Sequence, residues 1–260
     1  MDFTKYNTLA EYHEWLSLGS CDSTADTYTK ELDSLLSDQY LIDCKKIDIE
    51  KVVEKLEAIK YKNKYSKSKN AFLKFADFLD IEISQHTLEK LNSLHSEKTK
   101  KYRKLKSVRL SDIDNKIKGI RDKKLKESFQ TLLATGLRRS EIEQLDKDSC
   151  TISNTQIIFA FLGKGNRKEK AIIEKSENPK LYKDLVYRID ETPQDKKLFY
   201  SADYLEKKAK TKGFACHDLR RAYAKLEYKK TGDLEKVMKS LRHKNEKTTQ
   251  IYLNSKVNID

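Results

Sequence analysis

The chain has 260 residues and carries 54 Lys and Arg against 41 Asp and Glu, a formal net charge of +13. That length suits one large or two modest domains, and the basic excess selects a polyanionic partner, nucleic acid ahead of an acidic membrane surface, because each cation that neutralises a phosphate releases a counterion. No apolar run is long enough to cross a bilayer, Met1-Asp2-Phe3-Thr4-Lys5 lacks a signal-peptide core, and Cys21, Cys44, Cys150 and Cys216 are too scattered for a zinc site or redox pair, so a cytoplasmic protein with reduced, structural cysteines is expected.

The first hundred residues repeat a helical period. Leu9, Tyr12 and Leu16 precede Gly19, and Tyr28, Leu32 and Leu35 follow a capping box from Ser23 to Asp26. Ile49, Val52, Val53, Leu56 and Ile59 make one apolar stripe, and Ala71, Phe72, Phe75, Phe78 and Leu79 another. With no strand signal between them, residues 1–97 read as a small all-helical domain.

From Glu97 the chain runs Lys98-Thr99-Lys100-Lys101-Tyr102-Arg103-Lys104-Leu105-Lys106, which cannot bury a core. Residues 98–108 therefore read as a basic linker, solvated or lying on DNA phosphates, with Lys100, Lys101, Arg103, Lys104 and Lys106 as the candidate contacts.

The second domain, residues 109–260, opens with a capping box from Ser111 to Asp114. Leu125, Phe129, Leu132 and Leu133 share one helix face that stops at Thr135-Gly136, and Ser140 and Glu143 cap a short helix. The period then changes to two. Gln156 to Leu162 and Ala171 to Ile173 read as strands around Gly163-Lys164-Gly165-Asn166, a β-hairpin with a lysine in its turn. Helices resume after Asn178, one of them behind His217 and one over Leu234, Val237, Met238 and Leu241. The expected class is α+β, mostly helical, with a small antiparallel sheet in the second domain.

Three polar clusters fall at helix ends in this domain: Thr135-Gly136-Leu137-Arg138-Arg139-Ser140-Glu141, His217-Asp218-Leu219-Arg220-Arg221, and Leu241-Arg242-His243 followed by Thr248-Thr249-Gln250-Ile251-Tyr252. Taken singly each has an ordinary reading: a surface arginine, a helix start with a satisfied histidine, one of 14 tyrosines, a solvated hairpin lysine. Together, in this order and with Tyr252 nine residues after His243, they resemble the tyrosine recombinases, the phage integrase family with its Xer-like two-domain members. The segment from Ser23 through Tyr28 to Leu32 is similar to the start of that family's core-binding domain.

The resemblance implies a C-shaped DNA clamp and a site-specific recombinase, integrase or resolvase in type, that cuts and rejoins strands through a 3′-phosphotyrosyl bond. Tyr252 would be the nucleophile, Arg138 and Arg220 the phosphate clamp, His217 the handler of the phenolic proton, His243 a donor to the phosphate and Lys164 the acid for the leaving 5′-oxygen. The chemistry agrees: charge develops on non-bridging phosphate oxygens, and a guanidinium fork holds two oxygens with a charge that does not titrate near neutrality. No metal or other cofactor is implied. The implied partners are a double-stranded recombination site and further copies of the chain, as a dimer or tetramer on DNA.

Two departures add charge: Arg242 stands where the family usually has glycine, and Arg221 where histidine is frequent. With Arg139 they are further candidate DNA contacts. Eight residues follow Tyr252, fewer than members that exchange a C-terminal helix usually carry, which leaves the mode of assembly open, and without an additional N-terminal domain a simple core-site reaction is expected. Two other readings remain. A type IB topoisomerase shares the chemistry and would relax DNA without paired sites; a non-catalytic DNA-binding clamp would bind without forming a covalent bond.

Overall fold

The computed structural model describes residues 5–20, 22–37, 47–99, 107–163 and 165–259. The chain divides into two compact units, Met1–Lys104 and Leu105–Asp260.

Among its described residues the first unit holds five helices: α1 (Lys5–Gly19), α2 (Asp22–Leu35), α3 (Ile49–Ala58), α4 (Lys62–Phe78) and α5 (Gln85–Glu97). The expected stripes meet in one core, where α4 packs against the other four through Tyr65, Phe72 and Phe75, with Tyr12, Leu32, Val52, Leu56 and Leu91 opposite. The two buried phenols are satisfied, Tyr12 Oη donating to the Ala71 carbonyl (2.9 Å) and Tyr65 Oη to that of Leu91 (2.6 Å). Asp48 and Ser84 cap α3 and α5 by accepting from the N–H groups of Lys51 and Thr87. Helix α2 begins at Asp22, so Ser23 lies inside its first turn and not ahead of it. Packing continues past α5: Lys98 lays its ammonium 5.3 Å over the Tyr65 ring, and the Thr99 carbonyl accepts from Lys62 N–H at 3.0 Å.

The second unit opens with β1 (Val108–Arg109) and α6 (Leu110–Lys118), then α7 (Lys123–Thr135) and the short α8 (Arg139–Ile142). A three-stranded antiparallel sheet follows, β2 (Cys150–Ile152), β3 (Gln156–Gly163) and β4 (Arg167–Glu174), in the order β2-β3-β4. The rest is α9 (Pro179–Glu191), α10 (Ala202–Thr211), α11 (Cys216–Thr231), α12 (Leu234–Ser240), α13 (Glu246–Leu253) and β5 (Val257–Asn258). Helix α7 is the central element: Phe129 and Leu132 are fully buried among Ile157, Phe159, Leu185, Leu205 and Leu219. Along β3, Ile157, Phe159 and Phe161 point inward in the alternation that a strand with one buried face requires.

Several boundaries differ from the sequence expectation. Ser111 lies within α6, whose cap position is Arg109, two residues earlier than expected, and the helix buries Ile113 and Ile117. The box expected from Ser140 to Glu143 is instead made two residues upstream, where the Glu141 carboxylate accepts from the Arg138 N–H at 2.8 Å. Strand β4 extends back to Arg167 through the charged run Arg167-Lys168-Glu169-Lys170, held by backbone pairing with β3 and not by apolar burial. Strand β2 carried no apolar signal. The parallel pair of β1 with β5, Val108 opposite Val257, brings the chain end beside the start of its own unit.

Candidate active site

The site assembles from four helix ends and begins with a glycine. Gly136 closes α7 at φ +60°, and a Cβ there would stand 2.4 Å from Cδ1 of Tyr223 on α11, so no side chain fits. The turn aims the Gly136 carbonyl inward, where it accepts from Nη1 of Arg220 and, at 3.3 Å, from Nη2 of Arg242. Arg220 is 1 % exposed. Its Nη2 donates to the Leu241 carbonyl, and its Nε has no partner among the described residues. Burial and then the neighbouring Arg138 and Arg242 lower its pKa to about 10, which leaves it charged at neutral pH.

Arg138, two residues past Gly136, is partly exposed and pairs with Glu141 through Nη1. Sequence reasoning did not single out that carboxylate as a site residue. It is almost wholly buried, and Arg220 (3.8 Å) and Arg242 (3.4 Å) also lie against it. Burial works against its charge, yet the Arg138 N–H and the charge of Arg242 hold the carboxyl below the ordinary range. The available signal was its position three residues after Arg138, where a capping carboxylate reaches back to the helix start.

Tyr252 projects from α13 between two imidazoles, both edge-on to its ring: His217 at 5.1 Å between centroids and His243 at 4.9 Å. Its hydroxyl lies 2.7 Å from His217 Nε2. His217 is the second residue of α11 and shows one edge to solvent, but the protein packed around it, then Arg221 and Arg220, push its pKa down to about 4. His243 is buried and also falls to about 4, through burial and then the charges of Arg220 and Arg138. Both rings are neutral at pH 7. His243 Nδ1 is tied to Thr249 Oγ1 at 2.9 Å, and its Nε2 is buried with no partner among the described residues. Thr249, fully buried one turn before Tyr252, is a second residue that sequence reasoning missed as part of the site.

The loop that presents His243 is a Schellman motif at the end of α12: His243 N–H bonds the Met238 carbonyl (3.0 Å) and Arg242 N–H that of Lys239 (2.9 Å). Arg242 therefore sits in the left-handed position at φ +57°, where a side chain costs about 1 kcal/mol relative to glycine. Its side chain is only 7 % exposed. The guanidinium donates to the carbonyls of Ser240 and Gly136, approaches Glu141 and lies 5.3 Å over the Phe161 ring. Its Nε, like that of Arg220, is buried with no partner among the described residues, and the expected contact of Arg242 with DNA is left as a proposal.

Of the other expected contacts, Arg139 is exposed and pairs with Asp203 (3.3 Å), and Arg221 pairs with Asp218 (2.8 Å). Lys100, Lys101, Arg103, Lys104, Lys106 and Lys164 lie outside the described residues. The turn around Lys164 is closed by the Gly163 and Arg167 pair, with Gly165 and Asn166 at φ +78° and +54°. Arg138, Arg139, Ser140, His217 and Arg220 line a cleft of about 300 Å³. Cys216, beside His217, is buried and free, its thiol pushed up to about 12 by burial and then Glu206, which keeps it protonated and inert. Among the described residues no cluster of three or more His, Cys, Asp or Glu side chains is placed to hold a metal ion, and no helix is long and apolar enough to cross a membrane.

Buried arginines with spare donors, two neutral histidines and a phenol held against them, beside a cleft lined by Arg138, His217 and Arg220, make a site suited to phosphoryl transfer. The phage integrase family model matches residues 101–258, and the chain belongs to that family, the tyrosine recombinases, whose members are DNA strand-exchange enzymes.

Among solved structures the chain is similar to the XerH site-specific recombinase bound to palindromic difH substrate, with 18% identity over 92% of this chain and 76% of that one and a TM-score of 0.62. It is also similar to a lambda integrase dimer bound to a COC′ core site, with 15% identity over 97% and 96% and a TM-score of 0.63. The Tn1549 transposon integrase in complex with circular intermediate DNA gives 16% identity over 95% of each chain and a TM-score of 0.60. At such identities the likeness is one of fold. No curated protein sequence matches the chain.

Proposed function

We propose that this chain is a site-specific DNA recombinase that cuts and rejoins strands through a 3′-phosphotyrosyl intermediate formed by Tyr252. The 2.7 Å contact between the Tyr252 hydroxyl and His217 Nε2 carries the reading. A neutral imidazole beside a phenol can accept its proton as the oxygen attacks phosphorus. The bond to the 5′-oxygen then breaks, and Lys164 protonates that oxygen. A second 5′-hydroxyl reverses the step, so no external energy source is needed.

Arg138, Arg220 and His243 act on the non-bridging oxygens. The unpaired Nε of Arg220 and Nε2 of His243 are donors already stripped of water and held in place, which lowers the cost of reorganisation as charge develops. The structural relatives are described as dimers and a tetramer on DNA. By analogy this chain would act as a dimer or tetramer on a double-stranded site, with its helical first unit as the core-binding domain and the basic linker on phosphates.

The test is incubation with a nicked suicide duplex carrying a candidate site, read as a covalent protein–DNA band on a denaturing gel. The wild type is expected to give the band and Tyr252→Phe none. Specific binding without any band would make the chain a non-catalytic clamp, and relaxation of DNA without paired sites would make it a topoisomerase.

A further inference from the structure

Arg242 is a basic residue spent on the interior. It takes a left-handed backbone position that suits glycine, and its side chain is only 7 % exposed. What it reaches is Glu141, at 3.4 Å, and the Gly136 carbonyl that also anchors Arg220. Glu141 is needed where it stands, since it accepts from the Arg138 backbone and holds the Arg138 guanidinium. A buried carboxylate there would, by itself, cancel one of the two positive charges that the clamp offers.

Arg138, Arg220 and Arg242 against Glu141 leave two net positive charges; without Arg242 one remains. A phosphodiester brings one negative charge, and the attacking phenolate adds a second in the transition state. With Arg242 the arginine cluster itself carries a charge equal to both, before any contribution from the His217 imidazolium formed as the phenol gives up its proton.

We propose that Arg242 is a positioning residue of the reaction: it neutralises Glu141, so that the carboxylate orients Arg138 without weakening the charge that Arg138 and Arg220 present to the scissile phosphate. This role rests on the phosphotyrosyl reaction proposed above. It also accounts for an arginine at a left-handed position, because the backbone cost is offset by contacts that glycine cannot make.

The experiment measures covalent adduct formation at saturating duplex, together with DNA affinity and its salt dependence, for Arg242→Met, Arg242→Lys, Glu141→Gln and the double variant Arg242→Met/Glu141→Gln. Methionine keeps an unbranched side chain and loses the charge; lysine keeps the charge. Arg242→Met is expected to slow adduct formation by roughly 10- to 100-fold with affinity unchanged, and Arg242→Lys by less than about 5-fold. Adding Glu141→Gln to Arg242→Met is expected to restore at least about 3-fold, although Glu141→Gln alone slows the reaction, a non-additivity that marks charge compensation.

Three results would overturn the role: an unimpaired Arg242→Met, a double variant slower than Arg242→Met, or an affinity loss in Arg242→Met with a salt slope smaller by about 0.9, which would mean a direct phosphate contact. Should Arg242→Met not fold, Arg242→Gly takes its place, since glycine adopts φ +57° without strain. A wild type that binds DNA and forms no adduct would overturn the reaction itself, and that outcome is read in a separate lane from the variants.

Discussion

Gly136 and Tyr223 are matched surfaces: the ring of Tyr223 occupies the space where any side chain on residue 136 would begin, with Cδ1 2.4 Å from an ideal Cβ. The match fixes the turn whose carbonyl anchors Arg220 and Arg242. Gly136→Ala must therefore strain a left-handed residue, push the ring away and move the anchor together. A loss of about 2 to 4 kcal/mol in the stability of the second unit is expected from strain and overpacking. Adduct formation should fall by about 100-fold, because a displacement near 1 Å of a catalytic donor is costly. Calorimetry and the suicide-duplex assay check the two parts, and a variant with wild-type cleavage would show that the turn does not set the clamp.

Arg138 and Arg220 are assigned the same chemistry but differ in burial, 29 % against 1 % side-chain exposure. Replacing either by alanine should lower adduct formation by about 100- to 1,000-fold while most DNA affinity, spread over other phosphate contacts, survives. Their stabilities should separate. Arg220→Ala strands the Leu241 carbonyl and leaves the Gly136 carbonyl only its longer bond from Arg242, and should cost about 2 to 4 kcal/mol, whereas Arg138→Ala removes a partly solvated pair and should cost about 1 kcal/mol. Equal melting temperatures for the two variants would count against the buried anchoring of Arg220.

The histidines set a pH window. A folded pKa near 4 against 6.5 in the unfolded chain means that unfolding takes up protons between those values. Stability from this source is whole above about pH 6.5 and is lost as pH falls towards 4. Buried His243 accounts for up to about 3 kcal/mol, and His217 for less, because solvent screens its exposed edge. Glu141, also depressed, acts in the same direction at lower pH. Melting curves of the second unit from pH 7.5 to 4.5 should fall monotonically, and His243→Asn should flatten them. A profile unchanged by that substitution would remove His243 as a cause.

Much of this was legible in the residues. Helices with a broad apolar stripe, such as α3 and α7, declared themselves, and so did the hairpin, whose β3 alternates and whose turn contains the glycines. Helix α5 did not, because it buries only Leu91 fully and its stripe of Leu88, Leu91 and Leu94 is narrow. Strands β1 and β5 have two residues each, too short for any period, and they form only because the chain end returns to Val108. For the site, Arg138, His217, Arg220, His243 and Tyr252 could be picked out because their order and spacing resemble the tyrosine recombinases, and the structure places these five side chains near one another. What the sequence hid was the support beneath them. Glu141 and Thr249 look like ordinary helix residues, and Arg242 looks like one more cation in a chain rich in them. Its burial follows from tertiary contacts with Glu141 and Phe161, which no local pattern encodes.

Lys164 is the remaining assignment, and its flanks support it. Gln144, two residues past α8, clamps Leu162 from both sides, its Oε1 accepting from the Leu162 N–H and its Nε2 donating to the Leu162 carbonyl, each at 3.1 Å. Phe161 lies under the Arg242 guanidinium. The base of the hairpin is thus tied to the arginine cluster two and three residues before Lys164. The proposed general acid is the lysine that follows this tied segment in sequence, and its role is to give a proton to the 5′-oxygen as that oxygen's bond to phosphorus breaks. Lys164→Ala should slow cleavage of ordinary DNA by about 100-fold or more, in line with the loss of a general acid. A substrate with sulfur in place of that 5′-oxygen needs no proton to leave, so the same variant should cleave it at nearly the wild-type rate. Equal impairment on both substrates would mean that Lys164 binds the phosphate and donates nothing, and the general acid would then have to be sought among the residues that line the cleft.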